Sequence, residues 1–140
     1  MSWNLVTEVE SLWPEVEPLL SRAVDTGYGE FDIKQLHRLL RSMKMRLLVY
    51  HGEDSSVDLA CVFELVHYPA KTVFRVVLLG GRAAGTDAFK EWERVIEPFA
   101  REIGASEIEA WCGPAQVRHF RKWGLEPRYT IVTKELRHAH

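Results

Sequence analysis

The stretch "VFRVVLLGGRAAGTDAF", Val73 to Phe89, passes from an apolar segment through a loop with three glycines into a segment with helical spacing. The near-continuous apolar run predicts a central strand that is covered on both faces. Beyond the glycines, apolar residues keep three- and four-residue steps as far as Gly104, which predicts a helix ended by a glycine. Such a loop either holds a phosphate group or only turns the chain.

Length and composition limit the remaining possibilities. The chain has 140 residues, of which 46% are hydrophobic, and this is the usual size of one compact domain. We therefore expect a single domain over residues 1–136 and a tail over residues 137–140. With 18 basic against 20 acidic residues, the chain lacks the broad positive field that nucleic acids or anionic membranes attract. Neither is an expected partner.

No segment predicts a membrane span, a secretory signal or a metal site. No apolar run approaches the roughly 20 residues of a spanning helix, and the start "MSWNLVTEVE" lacks a basic flank and an apolar stretch. We expect a soluble protein made in the cytoplasm. Cys61 and Cys112 lie far apart without a CxxC spacing, so both are expected to be buried thiols. The histidines of "RHAH" lie in a terminus that offers no rigid framework for a metal ion.

The first half of the chain predicts two helices and a hairpin. Apolar positions from Val6 to Val24 recur at helical steps, and Pro14 and Pro18 either split or kink that helix. Asp32 stands where it can cap a second helix that should end near Met43. The segments "MRLLVYHGED" and "VDLACVFELVHYPA" predict two strands joined by the polar turn "GEDSS".

The second half alternates strands and helices. After the third strand "KTVFRVVLLGG" and its helix come a short strand in "SEIEAWCG", a short helix in "PAQVRHFRKWG" between Pro114 and Gly124, and a last strand in "RYTIVTKEL". The order is helix, helix, three strands, helix, strand, helix, strand. It predicts an α/β fold with a mixed sheet and helices on both faces.

This element order, the strand entering a glycine-rich loop, and the late "FRKWGLEP" together resemble the GNAT superfamily of acyl-CoA-dependent N-acetyltransferases. The resemblance is greatest to the small, divergent GNAT-like proteins of tailed bacteriophages, in which "WPEVEPLLSRAVDTGYGEFDIKQL", "LLGGRAAGTDAFKEWERVIEPFARE" and "RKWG" have counterparts. It covers most of the chain. It implies two N-terminal helices, an antiparallel meander, a helix-strand-helix-strand half, and a sheet that splays into a V.

The resemblance also implies an acetyl-CoA site in the loop. In this family a loop of the form Q/R-x-x-G-x-G/A binds pyrophosphate through backbone N–H groups at the start of a helix. Asp87 replaces the last small residue of that pattern, so its carboxylate would have to turn back and cap the helix. The preceding strand would hydrogen-bond the pantetheine arm through its backbone. The implied cofactor-binding residues are Leu78, Leu79, Gly80, Gly81, Arg82, Ala83, Ala84, Gly85, Thr86 and Asp87. The alternative is that the glycines only turn the chain.

The proton donor of the family is a tyrosine on the late helix, and the aligned residue here is Phe120. A phenyl ring cannot donate a proton. The neighbouring His119 would substitute only if it pointed into the cleft, and adjacent helical residues face different ways. The alternative is that Phe120 and Trp123 are core contacts and that His119 is solvated.

A catalytic base is sought on the hairpin, where Glu64 shares a face with Val62 and Val66 by alternation. His67 and Tyr68, near the end of the same strand, are second choices. The alternative is that Glu64 lies on an exposed edge. Cys112 has no histidine and aspartate partners at a recognisable spacing, so we interpret it as a packed thiol rather than a nucleophile.

Two functions of different classes follow. The first is an N-acetyltransferase that binds acetyl-CoA and lets an unidentified amine or protein acceptor attack the thioester directly. The second is an inactive GNAT-fold phage accessory protein, either virion-associated or acting in assembly or on a host protein. Trp3 and Trp13 would then be exposed partner-binding residues. A homodimer through Trp111 or the last strand is also possible in either case.

Overall fold

The computed structural model describes residues 2–27, 29–81 and 86–136. The strands form one five-stranded sheet in the order β1-β2-β3-β4-β5, antiparallel except for the parallel pair of β4 and β5. The predicted α/β fold with a mixed sheet is confirmed. The elements in chain order are β1 (Ser2–Val6), α1 (Val9–Asp25), α2 (Ile33–Arg41), β2 (Arg46–His51), β3 (Val57–His67), β4 (Thr72–Gly81), α3 (Thr86–Glu91), a π-helical segment (Trp92–Ile96), α4 (Glu97–Glu102), β5 (Glu107–Ala110) and α5 (Pro114–Lys122).

Helices cover both faces of the sheet, as predicted, and the two faces differ in composition. On the face of α1 and α2 the buried side chains are mostly aliphatic: Val6, Val16, Leu20, Leu36, Leu40, Leu47, Val49, Ala60 and Val62. On the opposite face, which packs against the helical segments from α3 to α5, the larger buried side chains are mostly aromatic: Trp3, Tyr50, Phe63, Phe74, Trp92, Phe120 and Trp123. Each helix therefore buries one apolar stripe against the sheet.

The first strand was not predicted from the sequence. Residues 2–6 pair antiparallel with β2, and the helix expected from Val6 begins only at Val9. Trp3 is buried, and its indole N–H donates to the Ala88 carbonyl at 3.4 Å. Trp13 is half-buried and stacks on His37 with ring centroids 3.9 Å apart. The prediction that these two tryptophans are exposed is therefore wrong.

Sequence signals within each helix predicted α1 and α2, which cover the aliphatic face of the sheet. Pro14 and Pro18 do not split α1, which buries Val16 and Leu20 completely against the sheet. Asp32 caps α2 through a capping box, because its Oδ1 accepts from the Gln35 backbone N–H at 2.8 Å. No helix in the described part of the chain has both the length and the apolar content that a membrane crossing requires.

The helix after the glycine loop contains a π-helical segment. The Glu97 backbone N–H donates to the Trp92 carbonyl, a step of five residues, just before Pro98. Proline lacks an N–H and crowds the carbonyl four residues earlier, so a wider turn accommodates it. Trp92 and Ile96 are buried, as predicted, and Gly104, at φ 103°, follows the helix end.

The last predicted strand does not form in the described residues. Residues 125–136 have no regular secondary structure, and the sheet stops at β5. The large apolar side chains of this segment are exposed: Tyr129 at 91%, Ile131 at 70%, Val132 at 89% and Leu136 at 84%. A strand needs a partner edge, and β5 offers only four residues.

Candidate functional site

The sheet opens where β4 and β5 part. The two strands pair from Val73 and Glu107 to Val76 and Ala110, and the Trp111 backbone N–H then donates to the Val76 carbonyl at 3.3 Å. Beyond this point β4 continues to Gly81, whereas the other chain segment turns into α5. The pairing of β4 with β5 therefore ends at the point where the sheet was predicted to splay, and beyond it no strand among the described residues lies on this side of β4.

A β-bulge coincides with the divergence. Val62 pairs with Leu78 and Phe63 pairs with Val76, so Val77 is the extra residue. Val77 and Leu78 consequently both pack against the α1 and α2 cluster. On the side away from β3, no strand among the described residues pairs with β4 beyond Val76. Backbone polar groups on that open edge are available to a ligand.

A row of three charged side chains crosses the sheet one residue pair before this bulge. Glu64 on β3, Arg75 on β4 and Glu109 on β5 are register partners. Arg75 donates through Nε to Glu109 Oε1 at 2.5 Å and through Nη1 to Glu64 Oε1 at 3.2 Å. We call these residues the Glu64–Arg75–Glu109 row. Two carboxylates therefore flank one guanidinium beside the opening.

Aromatic residues complete the surroundings of Arg75. Its Nη2 donates to the Tyr68 hydroxyl at 3.1 Å, and its guanidinium carbon lies 4.3 Å from the centroid of the Trp111 ring. Burial alone would lower the pKa of Arg75, but the hydrogen bond and charge of Glu109, followed by those of Tyr68, outweigh it and raise the pKa. Arg75 is a permanent cation that is held in place from several sides.

Glu64 lies where the sequence placed it by alternation, on the same face as Val62. Strand β3 pairs with β4 at Glu64, but the described pairing of β3 with β2 ends at Phe63, so Glu64 lies just beyond the edge of β2 and is not enclosed between two strands. The Glu64 side chain is 26% exposed. Of the sequence-predicted catalytic residues, the structure brings Glu64 and Tyr68 together through Arg75.

The two predicted histidines stand apart from this row. His67 is exposed at the end of β3, with its Nδ1 3.0 Å from the Thr72 hydroxyl. His119 is exposed on α5, which agrees with the alternative interpretation of a solvated residue. Among the contacts described for the row, neither histidine takes part.

Phe120 is a core residue. Its side chain is 6% exposed and packs edge-on against Trp123, which stacks on Trp92 with centroids 4.1 Å apart. The alternative interpretation of the late helix is thus confirmed for both aromatic residues. The position aligned with the family's proton donor supplies no acidic hydrogen.

The glycine-rich stretch has two parts: two glycines at the end of β4, which the structure describes, and the following loop, which lies outside the described residues. A Cβ atom on Gly80 would lie 2.4 Å from the Leu19 carbonyl oxygen, because α1 rests directly on β4. Gly81 has a φ of 131°, and a Cβ there would lie 2.2 Å from the Asp58 carbonyl oxygen. These two glycines therefore have a packing role. Arg82, Ala83, Ala84 and Gly85 lie outside the described residues, as do the side chains of Thr86 and Asp87, so the phosphate site stays a prediction.

The two cysteines differ. Cys61 is buried, as predicted, and burial raises the pKa of its thiol. Cys112 is exposed between β5 and α5, so its prediction as a packed thiol is wrong. Partial loss of solvation still raises the pKa of Cys112, which keeps the thiol protonated at neutral pH. Within residues 2–27, 29–81 and 86–136, no three His, Cys, Asp or Glu side chains cluster as a metal site.

Sequence reasoning missed Arg75, Glu109 and Trp111. A signal for the first was present, since an arginine inside the apolar run "VFRVV" must find acceptors when its strand is central. The spacing of "EIEAW" places both glutamates and the tryptophan on one face of a strand. Which glutamate meets the arginine depends on strand register, and that information is not local.

Comparison with known proteins identifies the fold. The chain matches no protein-family model and no curated protein sequence. Among solved structures, it is similar to a ribosomal-protein-alanine N-acetyltransferase from Brucella melitensis biovar Abortus, with a TM-score of 0.72 at 12% identity over 97% of this chain and 100% of that one. An aminoglycoside acetyltransferase from an uncultured soil sample, in complex with sisomicin, has a TM-score of 0.70 at 12% identity over 97% and 96%.

A third similar structure is a GNAT family acetyltransferase from Staphylococcus aureus, with a TM-score of 0.66 at 15% identity over 97% of this chain and 100% of that one. The overall architecture is therefore that of the GNAT acetyltransferases. Identities this low establish the fold alone, and function must be argued from the site.

Proposed function

We propose that this chain is a GNAT-type protein that binds acetyl-CoA and transfers the acetyl group to an amine by direct attack. The observation that carries the proposal is the divergence of β4 from β5 at the bulged Val77, within a fold shared with acetyltransferases. Direct transfer requires no covalent intermediate on the protein. The acceptor is an amine on a small molecule or a protein.

The open edge of β4 fits the amide-containing arm of an acyl-CoA. Backbone groups of Val77, Leu78 and Leu79 on the side away from β3 have no partner strand in the described part of the chain. Amide N–H and carbonyl groups of an extended ligand would replace that missing strand. The sequence-predicted loop from Arg82 to Asp87 would hold the pyrophosphate. When bound, acetyl-CoA supplies an activated thioester.

Proton transfer would depend on the Glu64–Arg75–Glu109 row. Glu64 is the carboxylate nearest to the open edge on β3, one residue pair from the bulge, and Arg75 contacts it through Oε1. Glu64 would accept the amine proton, directly or through a water molecule. Because Phe120 is a buried phenyl ring, the thiolate would leave without a tyrosine donor.

A second candidate function is a GNAT-fold binding protein without turnover. Two observations favour it: Phe120 is part of the core, and the charge of Glu64 is already matched by Arg75. In this case the protein would be an accessory component, such as a phage-encoded virion-associated, assembly or host-protein-binding protein. Such a protein would retain the cleft without using it for chemistry.

Calorimetric titration with acetyl-CoA tests the cofactor site. We expect saturable binding by the unchanged chain and none by Gly85→Glu, because a carboxylate at the loop would repel the pyrophosphate. Arg82→Ala should weaken binding by about 1.5–3 kcal/mol, the contribution of a hydrogen bond between charged groups. Gly113→Ser is the matched control, since a side chain at Gly113 meets nothing within 4 Å.

The outcome also separates the two candidates. Binding together with release of free CoA thiol in the presence of an amine panel supports the transferase. Binding without thiol release by any acceptor supports the second candidate. No heat and no thermal stabilisation at millimolar acetyl-CoA would overturn the acetyl-CoA site itself.

A further inference from the structure

Two large aromatic side chains beside the opening of the sheet are not used by the proposed acetyl-CoA site. Tyr68, directly after β3, is 41% exposed, and Trp111, directly after β5, is 48% exposed. By contrast, Phe63 and Phe74, on the opposite face of β3 and β4, are buried. We call Tyr68 and Trp111 the aromatic pair. Exposed aromatic surface beside a cleft usually marks a place where a ligand packs.

Arg75 holds both rings of the aromatic pair in place. Its Nη2 donates to the Tyr68 hydroxyl at 3.1 Å, and its guanidinium carbon lies 4.3 Å from the centroid of the Trp111 ring. Arg75 is itself fixed by Glu64 and Glu109, and only 14% of its side chain is exposed. Rings that are already ordered lose little conformational entropy when a ligand packs on them.

The aromatic pair lies beside the carboxylate to which we assign the role of base. The Trp111 backbone N–H donates to the Val76 carbonyl at 3.3 Å, so Trp111 stands at the point where β4 and the chain after β5 part. Glu64 accepts from the same guanidinium that contacts both rings. An amine that reaches Glu64 at the opening therefore carries its carbon skeleton past the aromatic pair.

The charges beside the aromatic pair suit a molecule with one ammonium group. The Glu64–Arg75–Glu109 row contains two carboxylates and one guanidinium, so it carries one excess negative charge that a single ammonium group would match. Its only cation is engaged by both carboxylates and is not free to bind a phosphate or a carboxylate of a ligand. At the other end of β5, Glu107 is already matched by two cations, so a second ammonium group would find no free partner there.

We propose that the aromatic pair binds the acceptor and that the acceptor is an arylalkylamine, a primary amine joined by a short alkyl chain to one aromatic ring. This inference rests on the proposed transferase function and adds the class of its substrate. The acceptor ring packs against Trp111 and Tyr68, where aromatic contacts add to the burial of apolar surface. The amino group of the acceptor then lies at Glu64.

The transfer itself needs no further reactant. The amine gives one proton to Glu64, and its nitrogen forms a bond to the acetyl carbonyl carbon. The bond between that carbon and sulfur breaks, and the CoA thiolate leaves and takes a proton from water. The aromatic pair binds and orients the amine and does not exchange protons with it.

Two amines of the same size test the aromatic preference without any substitution in the protein. Phenethylamine and cyclohexylethylamine have the same alkyl chain and the same number of ring atoms, but only the first ring is aromatic. Release of CoA thiol from acetyl-CoA should show a kcat/KM about 3- to 10-fold higher for phenethylamine, the usual contribution of an aromatic contact beyond burial. Butanediamine, which has a second cation and no ring, should be a poorer acceptor than either.

Substitutions of Trp111 test which side chain makes the choice. Trp111→Ala should lower kcat/KM for phenethylamine roughly tenfold, mainly by raising KM, and should remove the preference between the two ring-bearing amines. Trp111→Phe keeps an aromatic ring, so it is the matched control and should keep the preference. Circular dichroism and calorimetric titration with acetyl-CoA should show that both variants keep the fold and the cofactor site.

The outcomes separate the acceptor class from the transferase function. Equal kcat/KM values for the two ring-bearing amines, or a Trp111→Ala variant that keeps the preference, would overturn the arylalkylamine proposal and leave the transferase in place. If no amine releases CoA thiol, the transferase function fails, and calorimetric titration with phenethylamine decides about the aromatic pair by itself. Heat that Trp111→Ala removes would support an amine site at the aromatic pair, whereas no heat with the unchanged protein would overturn it.

Discussion

The two halves of β4 belong to one strand but have different neighbours. Residues 73–76 are paired on both sides, with β3 and with β5, and Arg75 is fixed there by two carboxylates. Residues 77–81 begin with a bulge, and among the described strands they pair with β3 alone. The extra residue, Val77, therefore separates two halves of the strand. We call residues 73–76 the locked half and residues 77–81 the open half. Substitutions at the ion pairs of the locked half should affect stability without affecting the binding of acetyl-CoA, whereas the unpaired backbone edge of the open half should determine what binds there.

The largest expected effect is on catalysis by Glu64, which pairs with Arg75 of the locked half. This effect would break the division between the halves, because it assigns chemistry to the locked half. If the protein turns over, Glu64→Gln should lower kcat at neutral pH by about 10²–10⁴-fold, the contribution of a general base. The loss should shrink at high pH as the free amine becomes abundant. A steady-state pH profile measures it.

Glu109→Gln is the matched control for this test. Glu64 and Glu109 both accept from Arg75, so each substitution removes one charge beside the same guanidinium and keeps an acceptor oxygen. Only the Glu64 variant should be slow. Equal rates for Glu64→Gln and the unchanged protein at every pH would exclude Glu64 as the base.

Gly80→Val tests the packing of the open half. The new Cβ would lie 2.4 Å from the Leu19 carbonyl oxygen, so α1 must move away from the sheet. We expect a loss of about 3 kcal/mol in the free energy of unfolding, as overpacking of a close contact costs. Urea denaturation measures it.

Gly113→Ser serves as the control on the other side of the cleft, since Gly113 has a φ of −77° and no neighbours near its missing Cβ. Its free energy of unfolding should change by less than about 0.5 kcal/mol. If Gly80→Val unfolds no more easily than this control, the close approach of α1 to β4 is not a stabilising constraint.

Arg75→Met tests the locked half. The substitution leaves Glu64 and Glu109 without their shared cation, and we expect a loss of about 2 kcal/mol after allowing for the partial exposure of both carboxylates. Adding Glu109→Gln should recover part of that loss, which a double-mutant cycle measures. Binding of acetyl-CoA should change little. A strong loss of binding in a folded Arg75→Met protein would break the division between the halves.

The sequence predicted those features of the fold that depend on neighbouring residues. The capping box at Asp32, the apolar stripe that buries Trp92 and Ile96, and the strand from Thr72 to Gly81 are all readable from local spacing. Strand β1 was missed because its five residues directly precede a strong helical pattern, and only pairing with β2 makes them a strand. The absence of the last strand from the sheet likewise depends on a partner edge.

Sequence reasoning selected Glu64 and Tyr68 of the candidate site, but it found neither the other residues of the site nor the contacts among them. Alternation placed Glu64 on the correct face, yet the ion pair with Arg75 depends on the register between β3 and β4. The short connection of residues 68–71 sets the pairing of Glu64 with Arg75, and the bulge changes the register only beyond Phe63 and Val76. The pairing of Arg75 with Glu109 instead depends on the register between β4 and β5, which no local feature sets. A half-buried arginine within an apolar strand signals that partners exist without saying which residues they are.

The smallest expected effect concerns the outer border of the locked half, at Glu107. Hydrogen bonds from Lys71 and then from Arg128 lower the pKa of Glu107 below its ordinary value of 4.5. A carboxylate with a lowered pKa in the folded state stabilises the fold fully above its unfolded value, and the contribution is lost as pH falls through the folded value.

The melting temperature of the unchanged protein should therefore exceed that of Glu107→Gln by a constant amount above pH 5 or so, and the difference should vanish below 4.5 as the carboxyl group of Glu107 is protonated. Added salt should reduce the difference at neutral pH, because the contacts lie at the surface. Glu126→Gln, whose carboxylate is 3.9 Å from the exposed Arg121, is the control and should change the melting temperature little. A difference for Glu107→Gln that persists unchanged at a pH low enough to protonate all carboxyl groups would show that Glu107 does not stabilise β5 through its charge, and the locked half would then extend to its edge without electrostatic help.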